Sequence, residues 1–182
     1  MEENKRVDLD LYYLKMAYLV SERSTCVRRH VGCVLVSPTG HVLSTAFNGI
    51  PEKLPHCTNE TCIRKKLNIP SGEKHELCMG AHAESNAIAF AARNGSTVEG
   101  GTIYITTQPC IYCAKIIVNA GIKRIVYCEK YGKGLDDLTK TILQNIEVVQ
   151  IDKEKIGLWK NNKARNKLMI VLALFFKYIE FL

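Results

Sequence analysis

The chain has 182 residues, of which 47% are hydrophobic and 24% charged, a composition that suits one globular domain with a single core. The formal net charge of +7 is compatible with an anionic ligand such as a nucleotide, or with nucleic acid, and by itself indicates no more. No N-terminal stretch combines a basic start, a long apolar run and a small-residue cleavage site, so a secreted protein is not expected. In a reducing compartment, eight cysteines are more often metal ligands or buried small side chains than disulfides.

Hydrophobic periodicity and turn residues predict alternating helices and strands over residues 1–152. Helices are expected at residues 9–24, 82–94, 110–120 and 135–145. Strands are expected at residues 31–36, 42–47, 102–106, 124–128 and 147–151. Between the first hairpin and the second helix, residues 48–81 have no clear period and are interpreted as an insertion loop. Such alternation is typical of a layered α/β domain.

Residues 153–182 form a C-terminal extension that ends in an apolar tail. After Lys167 the sequence runs LMIVLALFFKYIEFL, broken only by Lys177 and Glu180. The tail is shorter than the roughly 18 uninterrupted apolar residues that span a bilayer, so a membrane partner is not expected from it. It can be interpreted as a helix in a subunit interface, as a peripheral membrane anchor or as a poorly ordered extension.

Two short motifs carry the chemistry, HAES at residues 82–85 and QPCIYC at residues 108–113. His82 begins one predicted helix, while Cys110 and Cys113 begin another. Helix N-termini lower the pKa of a thiol, so both cysteines can bind a metal as thiolates. One imidazole and two thiolates leave a fourth position open, which is the arrangement of a catalytic rather than a structural zinc.

Glu84 lies two residues after His82 and is interpreted as a general acid/base, not as a metal ligand. A single C-x-x-C pair is equally typical of redox and structural sites. The combination H-x-E…P-C-x-x-C, however, is the signature of zinc deaminases, and this chain matches it at every fixed position. The motifs therefore predict hydrolytic removal of an exocyclic amine from a base, with Glu84 moving the protons.

Longer stretches outside these motifs resemble the deoxycytidylate (dCMP) deaminases, most closely the phage, viral and bacterial members. They are AYLVSERSTCVRRHVG, FNGIP, PSGEKHELCMGAHAESNAIAFAARNGSTVEGGTIYIT, PCIYCAK and AGIKRIVYCEKY. The resemblance implies an α/β fold of the cytidine-deaminase-like type, a three-layer α/β/α sandwich with a central five-stranded mixed sheet. It also implies conversion of dCMP to dUMP and ammonia, which supplies dUMP for thymidylate synthesis. A homo-oligomer, often a hexamer, is implied as well, located in the cytoplasm, or in the host cytoplasm if the protein is viral.

The same resemblance suggests residues that bind the substrate. Asn48 would hydrogen-bond the sugar or the base, and Tyr131 would help to close the nucleotide pocket. A monophosphate also needs cations or hydroxyl groups, and the candidates are Arg28, Arg29, Arg93 and Ser24. As alternatives, Asn48 is a turn residue before Gly49, the arginines are solvated or interface charges, and Ser24 is the last residue of the first helix.

Five further potential metal ligands lie mostly in the insertion loop, namely Cys26, Cys57, Cys62, His75 and Cys78. A structural zinc needs four of them. Local spacing favours Cys57, Cys62, His75 and Cys78. The resemblance to members with a second zinc favours Cys26, Cys57, His75 and Cys78, which we prefer, with Cys62 as the alternate. The competing interpretation is that these are buried thiols and polar loop groups.

Regulation is a separate expectation of the resemblance, which implies dCTP and dTTP, with Mg²⁺, as allosteric effectors. Regulated members carry Gly-Tyr-Asn-Gly where this chain has Ala46-Phe47-Asn48-Gly49. Ala46 cannot adopt the positive φ values open to glycine, and Phe47 lacks the tyrosine hydroxyl. Whether these effectors act on this chain is left open by its sequence.

Two rival functions are compatible with the metal motif. A deaminase acting on tRNA or another nucleic acid shares HAE and P-C-x-x-C, but we find no face of interleaved basic and aromatic residues and expect no nucleic-acid partner. A non-catalytic zinc protein would have no use for a carboxyl group at position 84.

Overall fold

The computed structural model describes residues 6–131 and 134–157. The helices are α1 (Leu9–Ser21), α2 (Ile63–Lys66), α3 (Ala83–Arg93), α4 (Ile111–Asn119), α5 (Asp137–Ile142) and α6 (Lys153–Ile156). The strands are β1 (Gly32–Val36), β2 (Val42–Phe47), β3 (Thr102–Thr107), β4 (Arg124–Glu129) and β5 (Glu147–Gln150). The apolar tail after Lys167 lies outside the described residues. None of the described helices is both long and apolar enough to cross a bilayer.

The five strands form one mixed sheet in the order β2-β1-β3-β4-β5. Strand β1 is antiparallel to both β2 and β3, whereas β3, β4 and β5 are parallel. Helices α1 and α6 cover one face of the sheet, and α3, α4 and α5 cover the other. The predicted three-layer α/β/α sandwich with a five-stranded mixed sheet is thereby confirmed.

The central strands bury both faces, which explains their nearly continuous apolar runs. In β1, Cys33 and Leu35 pack into the cluster under α3 and α4, while Val34 and Val36 pack under α1. The same alternation divides β3 and β4 between the two clusters. The three strands with nearly continuous burial, β1, β3 and β4, are the central ones, and the partly exposed strands β2 and β5 form the edges.

Gly32, the first residue of β1, allows α1 to pack directly on the strand backbone. A Cβ at this position would lie 1.9 Å from the carbonyl oxygen of Ala17 and 2.6 Å from the amide nitrogen of Ser21. Both atoms belong to the backbone and cannot rotate away. Only glycine fits there.

The predicted first helix is too long by three residues. Helix α1 ends at Ser21, where the amides of Glu22 and Arg23 bond to the carbonyls of Leu19 and Val20, three residues back. These tighter bonds close the helix and turn the chain toward the sheet. The following segment, residues 24–31, is thereby free to line the functional site.

Two other predicted boundaries also differ from the structure. The insertion at residues 48–81 contains α2 and a 3₁₀ turn at His75–Leu77, so it is not wholly irregular. Beyond residue 152, the short helix α6 places Ile156 in the cluster beneath α1, where its side chain is fully buried. Both helices have four residues, and helices of this length have no recognisable apolar period.

A charged pair ties α1 to the parallel half of the sheet. Arg124 of β4 donates two hydrogen bonds, of 2.6 and 2.8 Å, to the two carboxylate oxygens of Asp10, and Tyr104 donates a third of 3.0 Å. The side chains of Asp10 and Arg124 are 21% and 25% exposed. The hydrogen bonds from Arg124 lower the pKa of Asp10 below its usual 3.8.

Replacing this carboxylate should reduce stability in a pH-dependent way. Asp10→Asn should lower the free energy of unfolding by roughly 1–2 kcal/mol at neutral pH, because the charge-assisted bidentate contact is lost. Since the folded-state pKa is depressed, the contribution is present above pH 3.8 and disappears as the pH falls through the folded value. Urea denaturation at neutral pH and near pH 3 would measure it.

Asp137→Asn is the matched control, because Asp137 pairs with Lys140 on α5 and its side chain is fully exposed. It should leave stability almost unchanged at both pH values. A loss in Asp10→Asn that persisted undiminished in acid would contradict the ionic origin of the effect.

Candidate active site

Two helices begin next to each other at one edge of the sheet, and each begins with a potential metal ligand. His82 is the N-cap residue of α3 and Cys110 is the N-cap residue of α4, and neither side chain forms a capping hydrogen bond. The Nδ1 atom of His82 lies 3.4 Å from the Sγ atom of Cys110 and 3.3 Å from that of Cys113. All three ligand atoms lie within 4.8 Å of one another. One imidazole nitrogen and two sulfurs at this separation form a set that zinc prefers.

The sheet brings these helix starts together. Strand β3 ends at Thr107, and Gln108 and Pro109 lead directly into Cys110. On the other side, Gly49 after β2 pairs with Ala81 through two backbone hydrogen bonds, which fixes the chain immediately before α3. The carboxyl ends of β2 and β3 therefore set the positions of both helices.

Cys110 and Cys113 differ in their tendency to hold a proton. The pKa of Cys110 is lowered to about 3, first by a hydrogen bond from Cys113 and then by one from His82. The same contact with Cys110, together with burial, raises the pKa of Cys113. Cys110 is therefore the first thiolate of the pair, and a cation is needed to remove the second proton at neutral pH.

Glu84 lies in the first turn of α3, and its side chain is only 4% exposed. Burial raises its pKa from the usual 4.5 to about 7, while the charge of His82 acts in the opposite direction. A carboxyl group with this pKa accepts and donates protons about equally well near neutral pH. That property is what a general acid/base needs.

The metal-ligand group opens into a cavity with an unusual concentration of unsatisfied polar atoms. Six buried side-chain atoms among the described residues have no hydrogen-bond partner, and all six belong to residues of the cavity wall, Thr25, Arg28, Arg29, Arg64, His75 and Gln108. Buried polar groups are normally satisfied, so their collection in one wall indicates a bound polar molecule. Three arginines and one carboxyl group, Glu84, are the charged wall residues other than the histidines, which fits an anion.

Asn48 lines this cavity, and backbone hydrogen bonds fix the orientation of its side-chain amide. Its Oδ1 atom accepts a hydrogen bond of 2.8 Å from the amide of Val31, and its Nδ2 atom donates one of 2.9 Å to the carbonyl of Arg29. Ser24 Oγ lies 2.7 Å from the same Oδ1 and is not part of the cavity wall. The structure thus places Ser24 behind Asn48, and one N–H of the Asn48 amide remains for a ligand.

Tyr131 and Arg29 form one wall of the cavity. The guanidinium of Arg29 lies 4.4 Å from the centre of the Tyr131 ring, a cation–π contact, and Arg29 Nη2 lies 3.9 Å from Glu129. Glu129 also accepts hydrogen bonds from Tyr18 and Lys153, so α1, α6 and the end of β4 converge behind Arg29. Burial raises the pKa of Tyr131 to about 12, which keeps its hydroxyl protonated.

The predicted phosphate contacts lie in different places. Arg28 lines the cavity and donates a 2.6 Å hydrogen bond to the carbonyl of Ile69. Arg93, by contrast, lies at the end of α3 with its side chain 69% exposed, pairs with Glu52 at 3.7 Å and is not part of the cavity wall. The structure therefore does not bring Arg93 to the cavity, because the side chain leaves α3 on the solvent side.

The cysteines of the insertion gather around Cys57. Burial is the main cause of its raised pKa, followed by the neighbouring thiols Cys62, Cys78 and Cys26. His75 lines the same cavity as these cysteines, and its ring centre lies 4.8 Å from that of His82. Within residues 6–131 and 134–157, the only group whose ligand atoms all lie within 4.8 Å is His82, Cys110 and Cys113. Cys62, Cys78 and Cys26 are therefore companions of Cys57 in a candidate second site, with His75 as the alternative to Cys62.

Among the six wall residues with unsatisfied polar atoms, three were not predicted from the sequence, namely Thr25, Arg64 and Gln108. Thr25 and Gln108 adjoin predicted site residues, so proximity along the chain was an available signal. Arg64 precedes Lys65 and Lys66, and three consecutive basic residues predict side chains exposed to solvent. Nothing in the sequence distinguishes it from those two neighbours.

Comparison with known proteins agrees with this geometry. Residues 7–129 match the family model described as the cytidine and deoxycytidylate deaminase zinc-binding region, and the match includes His82, Cys110 and Cys113. The chain belongs to the cytidine and deoxycytidylate deaminase family. The resemblance stated from the sequence is confirmed.

Curated deaminases of this family cover most of the chain. A deoxycytidylate deaminase of Enterobacteria phage T2 is 38% identical over an alignment of 181 positions, which covers 81% of this chain and 93% of the phage protein. A deoxycytidylate deaminase of Saccharomyces cerevisiae is 36% identical over 140 residues, or 77% of this chain and 43% of the yeast protein. Among solved structures, the dCMP deaminase of cyanophage S-TIM5 in complex with dCMP and dUMP is similar, with a TM-score of 0.62 and 27% identity, covering 81% of this chain and all of that one.

The role assigned to Glu84 predicts a separable effect of its substitution. Glu84→Gln should reduce kcat by roughly 10²- to 10⁴-fold, because the amide preserves the shape of the side chain but cannot transfer protons. Zinc content and melting temperature should stay close to wild type. Metal analysis, thermal unfolding and ammonia release measured on one preparation would test all three.

Glu22→Gln, at the exposed end of α1, is the matched control and should behave as wild type. A loss of zinc in parallel with the loss of turnover in Glu84→Gln would make Glu84 a ligand and overturn its assignment.

Proposed function

We propose that this deaminase converts dCMP to dUMP and ammonia, in a reaction that consumes one water molecule. The observation that carries the proposal is the arginine-lined cavity directly beside Glu84, His82 and Cys110. A phosphorylated nucleoside would satisfy both the arginines and the unpaired polar atoms of the wall. The names of the phage and yeast relatives, and the nucleotides bound to the cyanophage deaminase, support the same substrate.

His82, Cys110 and Cys113 would hold the zinc, and their fit is supported by the close approach of one nitrogen and two sulfur atoms. When bound, zinc supplies Lewis acidity and a water nucleophile usable at neutral pH. Glu84 accepts the proton that the attacking water loses and passes one proton to the ring nitrogen beside the reacting carbon. It then accepts the proton remaining on the hydroxyl group added to the ring carbon and delivers it to the leaving amine, so that the C–N bond breaks, the carbonyl forms and ammonia departs. A pKa of about 7 allows one carboxyl group to perform these steps in turn.

The polar wall would orient the nucleotide. We assign to Asn48 a hydrogen bond to the sugar or base through its remaining N–H, with Ser24 as a positioning residue behind it. Tyr131 would close the pocket, supported on one side by the guanidinium of Arg29. These contacts select and hold the substrate but transfer no protons.

A second, structural zinc would be held by Cys26, Cys57, Cys62 and Cys78. Cys62, Cys78 and Cys26 all contribute to the raised pKa of Cys57, which supports this set, and His75 is the alternative to Cys62. The four sulfurs would have to draw closer together for one ion to bind all of them. Such a site would stabilise the insertion and would not take part in the chemistry.

Assembly, regulation and location complete the proposal. We expect a homo-oligomer, hexameric as in related members, and a cytoplasmic location, in keeping with eight free cysteines. Regulation by dCTP and dTTP with Mg²⁺ would have to operate with Ala46, which lies buried within β2 in place of the glycine of regulated members.

Substrate choice is tested directly by ammonia release from dCMP, CMP, dCTP, deoxycytidine and a tRNA anticodon stem-loop. Turnover of dCMP should exceed that of dCTP, deoxycytidine and the stem-loop by at least about tenfold in kcat/KM, because only a monophosphate fills the arginine-lined wall without excess charge. CMP carries the same phosphate, so its turnover measures the contribution of the sugar. Adding dCTP or dTTP to each assay measures regulation. Activity on RNA alone would preserve the chemistry but overturn the proposed substrate.

The ligands of the second zinc are tested by metal content. Cys62→Ser should reduce zinc from two ions per chain to one and lower the melting temperature, whereas His75→Gln should retain both ions. Cys33→Ala, in the core strand β1, is the control and should retain both ions as well. The opposite pattern, with loss in His75→Gln only, would restore the set with His75.

A further inference from the structure

Arg64 is a buried arginine in an otherwise exposed short helix. Its side chain belongs to α2 and the residue is 8% exposed, whereas the next two residues, Lys65 and Lys66, are exposed. Its Nη2 atom donates a 3.3 Å hydrogen bond to the carbonyl of Pro70, and its Nε atom has no partner among the described residues. No carboxylate of the described chain lies within 4.0 Å of its guanidinium.

A second arginine lies beside it. Arg28, which reaches the same turn from the segment after α1, donates a 2.6 Å hydrogen bond to the carbonyl of Ile69 and leaves its Nη1 atom unpaired. It also lacks an ion pair among the described residues. Two positively charged side chains from distant parts of the chain are thus bonded to the carbonyl groups of two consecutive residues.

The turn that carries both guanidiniums faces the nucleotide cavity. Arg28, Arg64, Ser71 and Gly72 all line it. Gly72 has a φ of +90°, and a Cβ there would contact Tyr131 at 3.7 Å, so the turn packs against the same tyrosine that Arg29 covers. The buried side chain of Ile69, 7% exposed, anchors the turn to the protein.

Buried positive charges without a counter-ion are costly unless an anion satisfies them. We propose that Arg64 is a substrate-binding residue that, together with Arg28, holds the 5′-phosphate of the nucleotide and sets the preference for phosphorylated over free nucleoside. The inference rests on the proposed function, since it deepens the description of the same cavity. It assigns a specificity role to a residue of the insertion, which otherwise contributes mostly cysteines and turns.

Phosphate is the anion that best fits two neighbouring guanidiniums. Each guanidinium keeps an unpaired nitrogen while it is bonded to the turn, and these two nitrogens are the donors left for a phosphate. A free nucleoside would leave both nitrogens unsatisfied in a buried site, and it would be rejected for that reason.

The test compares dCMP with deoxycytidine in wild type, Arg64→Gln and Arg64→Lys. Glutamine removes the charge and is too short to replace the bond from Nη2 to Pro70, so thermal unfolding is measured alongside to show that the turn persists. We expect kcat/KM for dCMP to fall by roughly 10- to 100-fold in Arg64→Gln, mainly through KM, and by less than about threefold for deoxycytidine. Arg64→Lys should recover part of the loss, because lysine restores the positive charge but not the planar pair of guanidinium donors that can bind two phosphate oxygens at once.

Binding of dUMP, deoxyuridine and inorganic phosphate by calorimetry provides a second measurement that does not depend on turnover. Arg64→Gln should weaken the binding of dUMP and of phosphate but leave the binding of deoxyuridine unchanged. Arg23→Gln removes an equal charge from an exposed position after α1 and should change none of these values.

The outcomes separate the two levels of the proposal. Equal losses on dCMP and deoxycytidine, with a lowered melting temperature, would make Arg64 a structural link of the insertion and overturn the inference. An unchanged ratio of kcat/KM for dCMP to kcat/KM for deoxycytidine in Arg64→Gln would overturn it too. A wild-type protein that deaminates RNA and not dCMP would instead overturn the proposed function.

Discussion

The convergence of two helix N-termini is the constraint on which the rest of the site depends. N-cap positions usually carry serine, threonine, aspartate or asparagine, whose side chains satisfy the first amides of the helix. Here His82 and Cys110 occupy them, and their side chains turn toward each other instead of toward their own helices. The helices therefore forgo capping bonds worth roughly 1 kcal/mol each, and a metal that joins the two residues would offset that loss.

Glu84 and the arginines give the cavity two distinct electrostatic regions. The pKa of Glu84 is governed first by burial and then by His82 and Cys110, so the proton-transferring group responds to the metal end of the site. Arg28 and Arg64 are bound to the turn at Ile69 and Pro70. The charge of Arg64 also acts to lower the pKa of His82, so the two regions are linked electrostatically.

The sequence predicts the reaction better than it predicts the pocket. The motif of His82, Glu84, Cys110 and Cys113 is local to two helix starts, and alternating strands and helices suffice to place those starts at one sheet edge. All five strands and the four longer helices were predicted to within a few residues. The short helices α2 and α6 were missed, because four residues are too few to show a helical period.

Residue type alone could not separate the arginines. Arg28 and Arg93 were equal candidates for the phosphate, and only the path of the chain shows that one faces the cavity and the other faces Glu52. Arg64 was overlooked for the converse reason, since a basic run predicts exposure. The fourth ligand of the proposed second zinc likewise depends on tertiary position, because Cys62 and His75 are both compatible with the spacing in the sequence.

Gly32 connects the far side of the sheet to the substrate pocket. With no side chain between them, the backbones of α1 and β1 touch, and the segment from Thr25 to Arg29 spans the short gap between that contact and the cavity. Any larger residue would have to push α1 away, and the arginines that follow α1 would move with it. The absence of a side chain at position 32 therefore fixes the distance between α1 and the sheet. A methyl group added there, far from the metal ligands, would change the width of the binding site.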